Sequence, residues 1–228
     1  MLDKLIAANF QVDFRSHAMA ILKIDFPEVA EVIEDVLLGS TIPIEEIIRS
    51  GGGETKGTQR LRNALRAREW NKHNFIVERT IDGVPREAQS HEVDHVRTLA
   101  AGTIALEIEW NNKDPFFDRD LNNFRLLFDL RAIDVGVIIT RATELHGLFD
   151  ELGKTYVTST THHEKLWPRI EGGGGGGCPV LTFAITRKVY VDDGQEALEQ
   201  SRHDKQALKK RKTRVPLGAG SGEDNGDS

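Results

Sequence analysis

Large apolar residues take every second position of the segment Ile104–Trp110, which reads IALEIEW, and Ala105, Glu107 and Glu109 lie between them. This spacing matches the side-chain period of two in a β-strand, so Glu107 and Glu109 leave the strand by the same face. Asp94 precedes this segment and can be brought beside it by a hairpin. Three carboxylates would then meet at one point. Such a cluster is unstable unless it is protonated, exposed to solvent or neutralised by a metal ion.

A second set of patterns predicts the scaffold around that strand. The segment Asp120–Arg131 has apolar residues at helical spacing, whereas Asp114–Asp118 is predicted to be a loop because Pro115 breaks a continuing strand. Val135–Thr140 is a continuous apolar run, which is typical of a strand covered on both faces. Strand, helix and buried strand in this order predict an α/β sheet with helices packed against it.

Outside this unit the patterns are less uniform. Phe26–Leu38 has an apolar stripe, begins near a proline and ends at Gly39, so a helix is predicted there. Residues 1–24 alternate loosely and are predicted to be strand-like or irregular. Val180–Thr186 is a further predicted core strand, preceded by the six glycines Gly172–Gly177, which we expect to form a flexible surface loop.

The segment Glu54–Arg68 (ETKGTQRLRNALRAR) predicts a basic helix. Thr58 can cap it, and Lys56 lies in the loop before. Arg62 and Arg66 are one helical turn apart on a face beside the buried leucines. Two interpretations stay open: a solvated basic face, or contact with phosphates, whose oxygens suit the arginine fork.

Composition narrows the class of protein. The chain has 228 residues and a formal charge of −6, which argues against a generally basic nucleic-acid binder without excluding a local basic patch. Cys178 is the only cysteine, so neither an internal disulfide nor a cysteine-based zinc site is expected. No signal peptide or membrane span is recognisable, which predicts a cytoplasmic protein. We expect one domain over residues 1–214 and a disordered acidic tail, rich in glycine and serine, over 215–228, after the basic run Lys209–Lys212.

The carboxylates suit Mg²⁺, a hard ion that prefers oxygen ligands and keeps several waters. Asp94 and Glu107 are the candidate ligands, and the backbone carbonyl of Ile108 can supply another oxygen. Glu109 is then positioned to orient or deprotonate a water molecule. A metal of this kind assists phosphodiester hydrolysis by neutralising the phosphate, activating the water and stabilising the leaving alkoxide. An exposed acidic strand face is the alternative interpretation.

Asp94, the strand IALEIEW, the helix after it and the buried strand in IDVGVIIT together resemble the PD-(D/E)XK nucleases. They resemble in particular the BglII/BstYI/BamHI group of type II restriction endonucleases. The resemblance covers roughly residues 50–190. It implies a restriction-endonuclease-like core, a central mixed β-sheet flanked by helices. It also implies that Asp94 and Glu107 hold Mg²⁺, one or two ions per site, and that Glu109 stands where the usual motif lysine would be.

The same resemblance implies DNA-reading residues. Asn111 and Asn112 follow the catalytic strand, and an asparagine can pair bidentately with adenine. A family segment similar to Ser159–Glu164 implies base contacts by three hydroxyl residues, Thr158, Ser159 and Thr160. His162 and His163 stand where the family has tyrosines, and a solvated loop pair is the simpler interpretation of them.

Other implied positions are less specific. The helix with Arg62 and Arg66 matches a region that flanks DNA in the family, and Lys56 lies next to it. A fourth active-site residue falls near Trp70, where His73 is the tentative candidate and Asn71 the other.

The activity implied is Mg²⁺-dependent cleavage of double-stranded DNA at a short palindromic site, with a GATC centre suggested by resemblance alone. The enzyme would be a homodimer paired through Asp120–Arg131, in a prokaryotic cytoplasm, with a companion DNA methyltransferase and no membrane partner. The alternatives are a non-specific repair or defence nuclease of the same superfamily and a DNA-binding protein that has lost catalysis.

Overall fold

The computed structural model describes residues 2–49, 54–86, 88–154 and 157–189, together with the short stretches 199–200 and 203–204. The basic run Lys209–Lys212 and the tail at 215–228 lie outside the described residues. None of the helices within the described ranges is long and apolar enough to span a membrane.

In the described chain a mostly helical amino-terminal part is followed by five successive strands and then by helices and strands in turn. The strands are β1 Gln11–Arg15, β2 Asn71–Val77, β3 Thr80–Ile81, β4 Val84–Pro85, β5 Gln89–Leu99, β6 Gly102–Glu109, β7 Val135–Arg141 and β8 Val180–Ile185. The α-helices are α1 Asp3–Ala7, α2 Ala18–Asp25, α3 Pro27–Leu38, α4 Ile44–Arg49, α5 Lys56–Arg66, α6 Pro115–Asp129, α7 Leu145–Glu151 and α8 His163–Glu171. Single 3₁₀ turns occupy Val157–Ser159 and Arg187–Val189.

Six strands form one sheet in the order β1-β8-β7-β6-β5-β2. The central strand β7 pairs in parallel with β6 and β8, while the remaining pairs are antiparallel. Strands β3 and β4 form a separate hairpin whose turn residues, Asp82 and Gly83, both have positive φ. A mixed sheet flanked by helices is the fold that the sequence predicts, and that prediction is confirmed.

Apolar side chains cover both faces of the sheet. One face packs against α2, α3 and α5 through residues such as Ile104 and Leu106 of β6. The other face packs against α6 and α8 through residues such as Phe117 and Phe124. Strand β7 is buried along its whole length, which explains why it reads as an uninterrupted apolar run.

Helix α6 begins earlier than the sequence predicts. Asp114–Asp118 was expected to be a loop, but α6 starts at Pro115. Proline is well tolerated at the first helical position because the missing N–H has no intrahelical partner there. The predicted loop is therefore wrong, and Asp120 lies inside the helix rather than at its beginning.

The amino-terminal region and α5 also differ from expectation. Residues 1–24 contain α1 and most of α2, and only β1 is a strand, which pairs with the sheet edge at β8. The cap of α5 is Thr55, whose side-chain oxygen accepts a hydrogen bond from the backbone N–H of Thr58 at 3.1 Å. Thr58 is thus inside the helix, and Lys56 is its first residue rather than part of the preceding loop.

The glycine run Gly172–Gly177 packs against α6 instead of forming a free surface loop. A Cβ added to Gly176, which has φ of +59°, would lie 2.8 Å from the Arg125 Cγ. At Gly174 an added Cβ would lie 3.1 Å from a methyl group of Leu121. Gly174 and Gly176 therefore let the backbone of this run lie close against side chains of α6, which is a different use of glycine from flexibility.

Candidate active site

Strand β5 carries a bulge at Asp94 and His95. On the β2 side, His73 pairs with Val93 and Asn71 pairs with Val96. Three steps along β5 thus match two steps along β2, which leaves one extra residue in β5. Bulges re-aim side chains and are frequent beside active sites. Strand β5 also stays paired with β6 only from His95 to Leu99, so the two strands separate at Asp94.

The separation of β5 and β6 brings Asp94 beside Glu107. The backbone N–H of Asp94 points to the Glu107 Oε1 at 3.4 Å. The Asp94 carboxylate is more than half exposed, and its Oδ1 lies 3.5 Å from the Lys72 Nζ, which also pairs with Glu92 at 2.7 Å. One carboxylate of the candidate site is therefore accessible from solvent.

The two glutamates of β6 are buried, each with 2% of its surface exposed. Burial, followed by the nearby Asp120 and Asp94 carboxylates, raises the pKa of Glu107 to about 9. Burial, followed by Asp120, raises the pKa of Glu109 to about 9 as well. An exposed acidic strand face, the alternative interpretation of this pattern, is wrong.

Helix α6 adds an aspartate and an arginine to the cluster. Asp120 is fully buried, and its Oδ1 accepts hydrogen bonds from the Nε and Nη2 of Arg119 at 2.8 and 2.7 Å. The same Arg119 Nη2 lies 3.4 Å from the Glu109 Oε1. The other oxygen of Glu109 accepts a hydrogen bond from the Asn112 Nδ2 at 2.6 Å. Both oxygens of Glu109 are therefore held by neighbouring side chains.

A cavity of about 300 Å³ opens on this cluster, and its lining includes Asp94, Glu107 and Arg119. We call it the carboxylate cavity. Within the described part of the chain, no three His, Cys, Asp or Glu side chains converge closely enough to hold a metal ion by themselves. Asp94, Glu107 and Glu109 therefore do not form a ready-made metal site, and their assignment as such stays a prediction. The available donors at Asp94 and Glu107 are nevertheless the hard oxygens that Mg²⁺ takes, and this ion needs only one or two protein carboxylates. The residues present are compatible with such a site.

A larger cavity of about 570 Å³ lies on the other side of Asp94. Its lining includes the cations of Arg62, Arg66 and Lys72 and the amide of Asn111. Arg62 is paired with Glu54, with 2.5 Å between Nη1 and Oε2. Lys56 does not belong to this lining, although it begins the same helix. We call this cavity the basic groove.

The two segments predicted to contact bases, one at Asn111 and Asn112 and the other at 158–160, are held together by hydrogen bonds between their backbones and side chains. Lys113 and Thr160 form an isolated antiparallel bridge, and the backbone N–H of Thr161 donates to the Asn112 carbonyl at 2.8 Å. In return, the Asn112 N–H donates to the Thr161 Oγ1 at 3.1 Å. Thr158 and Ser159 are exposed, whereas Thr160 is buried.

The three histidines singled out in the sequence have different surroundings from those expected. His162 and His163 are buried, at 5% and 4% exposure, so the solvated pair is wrong. The His163 Nε2 lies 2.9 Å from an oxygen of Asp13 on β1. His73 is exposed, packs edge-on against Phe75 at 4.4 Å between ring centroids, and lines neither cavity. On β2 the residue that reaches Asp94 is Lys72.

The family model for the restriction endonucleases BglII/BglIII matches residues 10–185, which is more than half of the chain. This protein belongs to the BglII/BglIII family of restriction endonucleases. Its class is therefore that of type II restriction endonucleases, hydrolases whose substrate is DNA. A search of curated proteins found no match.

Sequence reasoning missed three residues of this restriction endonuclease: Lys72, Arg119 and Asp120. No sequence motif indicates Lys72, because the strand bulge that brings it to Asp94 depends on pairing between distant segments. Asp120 did leave a signal in the sequence. It falls within the buried stripe of α6, between Phe117 and Leu121, where a purely structural helix would carry an apolar residue.

Proposed function

We propose that this family member hydrolyses double-stranded DNA in a Mg²⁺-dependent, sequence-specific reaction at a short palindromic site. The observation that carries the proposal is the position of Asp94, which lines both the carboxylate cavity and the basic groove. A DNA backbone lying along the groove would have a phosphate next to Asp94 and Glu107. Cations on one side and carboxylates on the other are the two requirements for binding and cutting a phosphodiester.

Asp94 and Glu107 would hold the metal ion, with the Ile108 backbone carbonyl as a further ligand. Mg²⁺ bound there would neutralise the phosphate, activate a water molecule and stabilise the leaving alkoxide. The protein would contribute the carboxylates of Asp94 on β5 and Glu107 on β6, two strands that separate at this point. Burial of Glu107 beside Asp120 makes its charged form costly in the free protein, and a nearby positive charge offsets that cost.

Glu109 would orient the attacking water, or deprotonate it when the Glu109 carboxyl is itself ionised. Glu109 lies two residues beyond Glu107 on the same strand face. The Thr140 hydroxyl donates a hydrogen bond to the Glu109 backbone carbonyl at 2.8 Å, which links this part of β6 to β7. Arg119 and Asn112 restrict the direction of its side chain. A base that is fixed in direction loses little conformational entropy when the substrate binds.

DNA binding would divide between phosphate and base contacts. Lys56, Arg62 and Arg66 would contact phosphates. The residues that would approach base edges are Asn111, Asn112, Thr158, Ser159 and Thr160. A palindromic site, with GATC as the candidate centre, requires a symmetric homodimer, which we propose pairs through the segment Asp120–Arg131. A companion methyltransferase would protect the same site in the host.

Digestion of a plasmid of known sequence tests this proposal. With Mg²⁺ present we expect discrete fragments, and none in a chelator. A smear would indicate a nuclease without sequence specificity, and intact DNA would indicate a binding protein without catalysis. Mapping the ends of discrete fragments then identifies the recognised bases, and sedimentation of the protein–DNA complex checks the dimer.

A further inference from the structure

Asp120 occupies a position that packing alone does not explain. It is fully buried within the apolar stripe of α6, next to Leu121 and Phe124. Its Oδ1 is bonded to Arg119, whereas within the described part of the chain its Oδ2 meets no hydrogen-bond donor. The Asp120 carboxyl also lies beside that of Glu109 and raises the pKa of Glu109. Burial of an incompletely paired carboxylate is costly, and apolar residues often replace buried ion pairs without loss of stability. The aspartate must therefore serve something other than the packing of this helix.

The contacts of Arg119 indicate the role of Asp120. Asp120 binds the Nε and Nη2 of the guanidinium, and this fixes the plane of a side chain that is otherwise half exposed. Phe116 supports it from the other side, with the guanidinium carbon 4.6 Å from the ring centroid. Held in this way, Arg119 turns its Nη2 towards the Glu109 Oε1 at 3.4 Å.

We propose that Asp120 and Arg119 are positioning residues for Glu109. Asp120 fixes the Arg119 guanidinium, which contacts one carboxylate oxygen of Glu109 while Asn112 binds the other. This inference rests on the proposed function, in which Glu109 acts on the water. It adds two residues of α6 to a site that the sequence places wholly on strands. Misplacement of a reacting group by about 1 Å can cost a hundredfold in rate, so loss of either positioning residue acts on catalysis and leaves DNA binding intact.

The test is Asp120→Asn in the full chain, with Asp118→Asn as the matched control. Asp118 lies on the same helix, is mostly exposed, and pairs with Arg169 instead of the site. For Asp120→Asn we expect the single-turnover cleavage rate to fall about 10- to 100-fold, while the DNA dissociation constant measured in Ca²⁺ changes less than about twofold. For Asp118→Asn we expect the parental rate.

A second pair of variants separates positioning from folding. Asp120→Leu fills the apolar stripe, so we expect its thermal unfolding midpoint to equal or exceed that of the parent while cleavage is lost. Arg119→Lys keeps the charge but cannot bind Asp120 and Glu109 together, so we expect an intermediate rate. Parental rates in Asp120→Asn and Asp120→Leu would overturn the proposal. So would parallel losses of rate, DNA affinity and thermal stability in both variants.

Crystal structures of the parent and Asp120→Asn give a readout that does not depend on cleavage. We expect Arg119 to leave Glu109 in the variant, and the Glu109 carboxylate to turn with it. An unchanged Glu109 would overturn the positioning role even if the parent cuts DNA. If the parent cuts no DNA, the proposed function fails, and a turned Glu109 in the variant would still support the positioning contact.

Discussion

The carboxylate cavity and the basic groove meet at Asp94, yet they are built in opposite ways. Two buried glutamates belong to the cluster at the cavity, and Glu107 lines the cavity itself. Their pKa values are raised to about 9, and each oxygen of Glu109 has a protein partner. The groove holds long cationic side chains that reach into solvent, and their partners are exposed carboxylates such as Glu54. Chemistry on a phosphodiester needs fixed groups, whereas binding a long polyanion needs charge that can adjust to its path.

The largest expected effect comes from a variant of the cavity that should abolish cleavage without weakening DNA binding in the groove. Glu107→Gln preserves the shape of a buried side chain but removes the negative charge that would hold Mg²⁺. We expect cleavage to fall by about a thousandfold or more, while DNA binding in a gel-shift assay is retained. Glu31→Gln, on the exposed face of α3, is the control. Parental cleavage by Glu107→Gln would contradict the assignment of the cavity as the catalytic centre.

The raised pKa values of the cavity predict how stability depends on pH. A carboxyl whose pKa is about 9 in the folded chain and near 4.5 in the unfolded chain binds more protons when folded, so stability decreases as pH rises between those values. His95 acts in the opposite direction below pH 6.5, because burial lowers its pKa to about 4.

The window from pH 7 to 9 lies above the range of His95 and reports on the cluster of Glu107, Glu109 and Asp120, since burial raises the pKa of all three carboxyls. Without metal we expect the free energy of unfolding to decrease steadily across it, and Glu107→Gln to flatten the slope. Mg²⁺ should stabilise the parent more at pH 8.5 than at pH 7, since the ion binds the ionised carboxylates. Urea denaturation at several pH values measures both effects. A slope that is the same in parent and variant would contradict the raised pKa of Glu107.

Changes in the groove should affect affinity more than rate. Arg62→Ala and Arg66→Ala each remove one proposed phosphate contact. We expect each to weaken DNA binding about tenfold at moderate salt and to lower the salt slope by about 1. The rate at saturating DNA should stay near that of the parent. Arg68→Ala, just beyond the end of α5, is the control. An unchanged salt slope in all three would exclude α5 from the DNA interface.

The smallest effect tests how firmly α5 holds the groove. Thr55→Ala removes the side-chain cap that accepts from the Thr58 N–H, and we expect a loss of about 1 kcal/mol in the free energy of unfolding. Thr55→Ser should restore most of it, because the hydroxyl remains. If the cap also orients Arg62, DNA affinity decreases with stability in the alanine variant and recovers in the serine variant. Equal stability in alanine and serine variants would exclude the cap.

Much of the scaffold could be predicted because its patterns are local. The period of two in β6 and the continuous apolar run of β7 depend on neighbouring residues and on burial. Prediction was poorest where pairing is distant. β1 lies far from β8 in the chain, so nothing near residues 11–15 indicates which edge they join. Pro115 illustrates a different limit, since proline both breaks strands and begins helices.

The sequence by itself determined the family, the α/β order and the strand face that carries Glu107 and Glu109, because these follow from motifs and side-chain period. Only the tertiary structure decided that these glutamates are buried, that Lys72 reaches Asp94 and that α6 contributes Arg119 and Asp120. Burial and charge proximity arise when distant segments meet, and the one-dimensional spacing of residues carries no measure of either. The carboxylates of IALEIEW were visible at once, but the residues that surround them were not.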